Sequence, residues 1–277
     1  MTETLRRENF YSWDKDLRII GSTTSKGAQP KWHHGRRDIY IKQDYHGYES
    51  VSEWAAFNIL DKCSTVPKDL LVPYYLCYMD DVEACYSANF KVEKEDEFTL
   101  KRLIERTRDV GMDDLLRKST EDGVDVLIDV IKHTTGKDFA RELKLMFVVD
   151  ALFLNEDRHL NNISVLQSKD GIIRFSPIFD NGMSLLSRLD TYPLTRSIVK
   201  NVSTVTPYLF EPDFKTFLDL FNYEPFLYKD KIKQFVKQHE ELLDRAGRVI
   251  LYQLQQPHLQ KLFITENPLL RKSSLFS

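Results

Sequence analysis

Cysteine is scarce in this chain. Its 277 residues hold three, Cys63, Cys77 and Cys85, and they show none of the close paired spacings that metal sites use. An odd count without such spacing argues against a disulfide framework and points to buried free thiols in a reducing compartment. Long apolar runs are missing as well. The most apolar helix-length stretch, "LKLMFVVDALFL", is interrupted by Asp150. It falls short of the roughly 20 residues that cross a bilayer and predicts a core helix. Neither sign of charge dominates, with a net charge of -3. That gives no ground for direct nucleic-acid binding or for acidic disorder. The N-terminal "MTETLRRENFYSWDKD" lacks the apolar centre of a secretory signal. We expect a cytoplasmic protein with no membrane contact; export into a host by a non-classical route is the alternative. Repeats and low-complexity tracts are absent.

What is present suits one large domain or two lobes, since 42% of the residues are hydrophobic and the chain is long enough for a sizeable core. The first ninety or so residues look strand-rich. In "RDIYIKQD", Ile39 and Ile41 alternate with Tyr40 and Lys42, as in a half-buried strand. "YESVSEWAAFNILDKC" begins a helix, with Ser50 and Glu53 spaced as a capping box. "LVPYYLCYM" and "EACYSANFKV" read as further strands. From Phe98 the pattern turns helical in "FTLKRLIERTRDV", "GVDVLIDVIKHTTG" and "DFARELKLMFVVDALFLN", punctuated by Gly111, Gly123 and Gly136. A hairpin signal follows, with a turn over 168–171, then a loop-like stretch and C-terminal helices. The expected division is an N-lobe over 1–88 and a helical C-lobe over 89–277.

The informative cluster is "NEDRHLNNISVL" with "FDNG" after it. If the hairpin pairs 162–167 with 172–177, its open end brings Asn162 beside Asp180, with Asp157 at the mouth. Three oxygen-bearing side chains then converge. A hard cation such as Mg²⁺ takes oxygen ligands and is commonly shared with nucleotide phosphates. Two of the three suit that task, and the third is left to accept a hydroxyl proton. Asp157 and Asn162 keep the spacing of the protein-kinase catalytic loop, and "DNG" stands where D-F-G would stand. An Asp/Asn-rich turn without chemistry is the plain alternative. Upstream, Lys42 ends a strand and Glu53 opens the next helix, as a phosphate-binding lysine and its partner would. "GSTTSKGAQPK" supplies Gly21 and Gly27 and free backbone N–H groups for phosphates. Glu83, Ala84 and Tyr86, between a strand and the helical lobe, are the candidate hinge for an adenine base.

"SKGAQPKW", "DIYIKQDYHGYESVSEWAAFNIL", "NEDRHLNNISVL" and "PIFDNG" resemble the HipA-type bacterial kinases. The likeness is greatest to the short, single-unit subgroup that includes the CtkA-like serine/threonine kinases. The resemblance implies an α+β, bilobal protein-kinase-like fold, ATP and Mg²⁺ as cofactors, and γ-phosphoryl transfer to a Ser or Thr of a protein substrate. It implies Asp157 as catalytic base, Asn162 and Asp180 as metal ligands, Lys42 as phosphate-binding lysine and Glu53 as its helical partner. His159 matches a family histidine that shapes the loop, with a role on phosphate as the alternative. It further implies autophosphorylation in the phosphate loop, where Ser22, Thr23, Thr24 and Ser25 are candidates and Thr24 lies nearest the expected position.

Two departures qualify the likeness. The chain begins near the kinase core, so an operator-bound antitoxin complex is not expected, and a small, separately encoded antitoxin or accessory partner is the alternative. The residue before Asp157 is Glu156 rather than Arg, which puts activation through an Arg–phosphate pair in doubt. A silent nucleotide-binding module, a lipid kinase and a metal-dependent phosphohydrolase stand as rival readings.

Overall fold

The computed structural model describes residues 7–20, 29–92, 95–107, 111–210, 213–220, 222 and 224–265. Six strands open the chain: β1 (Glu8–Phe10), β2 (Leu17–Ile19), β3 (Lys31–His34), β4 (Ile39–Gln43), β5 (Tyr75–Met79) and β6 (Val82–Ala88). They form one sheet in the order β1-β5-β6-β4-β3-β2, antiparallel except where β1 lies parallel to β5. The expected alternation holds in β4. Ile39 and Ile41 face a small core with Phe10, Leu17, Trp32, Cys77, Met79 and Ala84. The opposite face of the sheet meets α1 (Glu49–Cys63), so Lys42, on that side, is buried too. The β5–β6 turn uses two aspartates, Asp80 and Asp81, at φ 49° and 63°. Short polar side chains tolerate that left-handed pair, which matches the twist of the flanking strands.

After Ala88 the chain leaves the sheet and enters β7 (Asp96–Thr99), which pairs with β8 (Ser164–Gln167); β8 pairs in turn with β9 (Ile173–Phe175). The rest is helical: α2 (Leu100–Thr107), α3 (Met112–Leu116), α4 (Thr120–Thr135), α5 (Ala140–Phe153), α6 (Ile198–Val202), α7 (Phe214–Asp219), α8 (Lys229–Gln238) and α9 (Glu240–Gln253). The main core joins α1 to α2, α4, α5 and α7–α9. Phe147 of α5 stacks on Phe217 of α7 at 4.9 Å. Burying side chains of this size stabilises by about 1.5–3 kcal/mol each. The chain is thus a mixed α+β protein with a β-rich N-terminal part and a helical remainder.

Some local expectations change. The Ser50–Glu53 capping box does not form. Helix α1 starts at Glu49, whose carboxylate accepts from the backbone of His46 (2.7 Å) and Gly47 (3.0 Å). Asp44 takes both the N–H and the hydroxyl of Ser50, at 2.6 and 2.8 Å. Glu53 is drawn inward instead, as described below. Gly123 is not a break but lies inside α4, where the Phe210 ring occupies the space a Cβ would need, 2.2 Å away. Gly136 does end α4, at φ 69°. All three cysteines are buried. Burial pushes the Cys77 thiol up to about 12 and that of Cys85 well above its ordinary value. No helix among the described residues is long and apolar enough to cross a membrane.

Candidate active site

The site lies where the sheet and α1 face the loop after α5 and the segment after β9. Lys42, near the end of β4, reaches Glu53 Oε1 at 2.5 Å and Asp180 Oδ1 at 2.7 Å. Glu53 is fully buried on α1. Its second oxygen accepts the backbone N–H of Asn181 at 2.8 Å. One carboxylate therefore holds both the lysine and the loop that carries Asp180. Tyr74, buried beside them, accepts the N–H of Asp180 at 3.3 Å and sits 3.5 Å from Lys42 Nζ. Lys31 of β3 lies 3.6 Å from the other oxygen of Asp180.

Burial disfavours the ammonium of Lys42, but Asp180 and Glu53 outweigh it and raise its pKa well above the usual lysine value. Burial likewise opposes ionisation of Asp180, yet Lys42 and Lys31 hold its carboxyl well below the ordinary carboxylate range. Asp180 is thus a permanent anion at φ 60°, a backbone region that aspartate tolerates better than most residues.

The loop after α5 is organised by Arg158. It is 2% exposed and uses its whole guanidinium. Nε and Nη2 donate to Asp150 on α5, at 3.0 and 2.9 Å. Nη2 also reaches Asn181 Oδ1 at 2.9 Å. Nη1 donates to the carbonyls of Asn162, at 3.2 Å, and Phe179. Asn155 adds bonds to Asp150 (2.9 Å) and the Asp180 carbonyl (3.3 Å). The fork geometry of arginine suits such a hub.

Around this hub stand Asp157, His159 and Asn162. Asn162 donates its amide N–H to the Asp157 carbonyl at 3.3 Å, and among the described residues no hydrogen bond engages its Oδ1. Among the described residues the Asp157 carboxylate makes no hydrogen bond, and it remains available as an acceptor. Burial raises its pKa, with Asp180 adding to the effect and His159 opposing it. His159 packs edge-on against Tyr208, ring centroids 5.9 Å apart, and its buried Nδ1 has no partner among the described residues.

The hairpin forms with the expected turn, Gly171 at φ 80° and the Ser168 N–H on the Ile172 carbonyl at 2.9 Å. Its strands are shorter than expected, because Leu160–Asn162 makes a 3₁₀ turn. The link between Asn162 and the 180 region runs through Arg158.

The hinge expectation needs correction. Glu83, Ala84 and Tyr86 lie inside β6, paired in register with β4 on one side and β5 on the other. Their backbone groups belong to those ladders and are not free for a base. The chain crosses instead after Ala88, where Phe90 stacks on Phe179 at 5.1 Å. Gly21, Ser22, Thr23, Thr24, Ser25 and Gly27 lie outside the described residues. Sequence reasoning missed Lys31, Tyr74, Asp150, Asn155, Arg158 and Asn181. One signal was available: Asp150 within an apolar helix needs a buried counter-charge.

A cation and a nucleotide fit this donor set by its chemistry. An ionised Asp and an amide oxygen are hard ligands, and lysines stand by for phosphate. A cavity of about 910 Å³ lies elsewhere, behind the start of α1, lined by Asp44, Tyr48, Tyr78, Glu83 and His239 among others. Lys42, Glu53, Asp157, Asn162 and Asp180 do not line it, so size alone does not mark the candidate site.

No family model matches the sequence, and no curated protein matches it. Among solved structures, the proinflammatory kinase CtkA of Helicobacter pylori is similar over 88% of this chain and 90% of its own, with a TM-score of 0.55 and 16% identity. The chain has the fold of CtkA. The HipA toxin of Shewanella oneidensis MR-1, solved with HipB and its operator DNA, matches with a TM-score of 0.40 and 12% identity. That match covers 79% of this chain and 53% of HipA, about half its length. In the CtkA fold described here, the residues brought together are Lys42, Glu53 and Asp180, with Asp157, His159 and Asn162 on the adjoining loop.

Proposed function

We propose that the chain is an ATP- and Mg²⁺-dependent serine/threonine protein kinase of the HipA/CtkA type. The observation that carries this is the buried triad: Lys42 between Glu53 and Asp180, 2.5 and 2.7 Å away. A lysine held by a helical glutamate beside a metal-binding aspartate is the arrangement phosphoryl transfer requires. Asn162 and Asp180 would hold Mg²⁺, which when bound neutralises charge on the transferred phosphoryl group. Lys42 orients the phosphates. Asp157 accepts the proton of the attacking Ser or Thr hydroxyl. Arg158, Asn155 and Asp150 fix the loop so that these groups keep their spacing. A protein substrate and a small accessory or antitoxin partner belong to the same proposal.

The test is transfer of label from radiolabelled ATP by the purified chain into lysate proteins. Asp180→Ala should abolish Mg²⁺-dependent nucleotide binding, measured by calorimetry with and without the ion. Full Mg²⁺-dependent affinity in that variant would remove Asp180 from the metal site. Autophosphorylation within residues 22–25 is a further part of the reading. It predicts one added phosphate by intact mass after incubation with ATP, absent from Asp157→Asn. Wild-type protein that stays unmodified would count against it.

A further inference from the structure

The segment after Asp180 is tied to both halves of the site. On one side it meets the start of α1. Ser52 Oγ donates to the Ser184 carbonyl (3.0 Å) and Tyr48 Oη to the Leu185 carbonyl (2.7 Å). The Leu189 N–H reaches the His46 carbonyl (3.0 Å), and Gly47 bridges to Arg188. On the other side it meets the catalytic loop through Glu156, the residue before Asp157. The Glu156 N–H donates to the Met183 carbonyl at 3.1 Å. Its carboxylate receives Arg188 Nη1 at 3.4 Å and the hydroxyl of Tyr192. Arg245, buried in α9, donates to the Tyr192 carbonyl at 2.5 Å. Leu185 and Leu186 are fully or almost fully buried, both at positive φ, 58° and 64°. Such backbone persists only where its surroundings over-determine it.

We propose that Glu156, Arg188 and Tyr192 form a latch that positions Asp157 and α1 together. They replace the phosphate-dependent ordering that other kinases use in this segment. The charges are reversed relative to kinases whose segment is ordered by a new Arg–phosphate pair. Here the catalytic loop supplies the anion and the segment supplies the cation, so the pair is complete without modification. Glu156 and its partners act through Asp157 and Glu53 and are positioning residues. The inference rests on the kinase reading above.

The test uses the full chain and four variants: Glu156→Gln, Glu156→Arg, the swapped pair Glu156→Arg with Arg188→Glu, and Gly47→Ala. A Cβ at Gly47 would stand 2.0 Å from the Ser187 carbonyl and push the segment off α1. Glu156→Gln should lower kcat by about 10- to 100-fold, the scale of a small misplacement of reacting groups. Amides of 45–52 and 183–192 should exchange faster in Glu156→Gln and Gly47→Ala, with those of α4 unchanged. The swapped pair should recover kcat relative to Glu156→Arg alone. Unchanged kcat in Glu156→Gln, no recovery in the swap, or exchange that rises equally in α4 would each overturn the latch. A wild type that transfers no phosphoryl group would overturn the kinase reading instead, and the exchange data alone would then decide the latch.

Discussion

Asp157→Asn should lower phosphoryl transfer by about 10²–10⁴-fold, the usual contribution of a positioned general base, and leave Mg-ATP binding largely intact. The substitution keeps the shape of the side chain and removes only its capacity to accept a proton. Lys42, Glu53, Asp180 and Asn162 do not depend on it. Single-turnover kinetics beside nucleotide calorimetry separates the two effects. The wild type should also show an acid limb in its rate profile. Burial first, then Asp180, raises the Asp157 carboxyl above its ordinary 3.8, and the base works only when ionised. Rate should therefore fall as pH drops through that raised value. A variant with wild-type transfer would remove Asp157 from the base role. A wild type with nucleotide binding and no transfer would favour a silent binding module.

Arg158→Met should be the most destabilising of the changes considered. It removes the cation from Asp150, which is 1% exposed, and releases the carbonyls of Asn162 and Phe179. Breaking a buried pair from one side costs about 3–5 kcal/mol, which for a chain of this size lowers Tm by roughly 10 °C. The loss should depend on pH. Burial already raises the Asp150 carboxyl, with Arg158 the main opposing influence. Without Arg158 its folded pKa stands further above the unfolded value. Stability from that group is then fully present below the unfolded pKa and is lost as pH rises through the folded one. Thermal scans at pH 5 and pH 8 should show the larger deficit at pH 8. Adding Asp150→Asn to Arg158→Met should return part of the loss at pH 8. Equal deficits at both values would mean that the uncompensated carboxylate is not the cause.

Much of the fold could be read from local pattern. Alternation placed β4, polar turn residues placed the 168–171 hairpin, and the Asp157–Asn162 spacing marked the loop. What escaped was set by distant partners. Strand β1 exists because three residues pair with β5, and β7 because 96–99 pair with β8. Neither pairing leaves a periodic trace in so short a stretch. Glu53 was expected both as a cap and as the partner of Lys42. It pairs with Lys42 and also takes the Asn181 N–H, which was not foreseen; inside the protein an unpaired charge is more costly than an uncapped helix. The hinge was misplaced for a similar reason: only the sheet order shows that β6 is flanked on both sides. Arg158 was visible as a letter of the loop, but its role follows from Asp150, Asn162, Phe179 and Asn181 meeting in space.

The three sequestered cysteines have a practical use. Thiols react as thiolates, and Cys63, Cys77 and Cys85 are all shielded and shifted away from that form. Native protein should therefore be nearly silent to maleimide reagents. A single introduced attachment point, for example at the 55% exposed Tyr208 beside His159, would carry a fluorophore without background labelling and report on changes around His159.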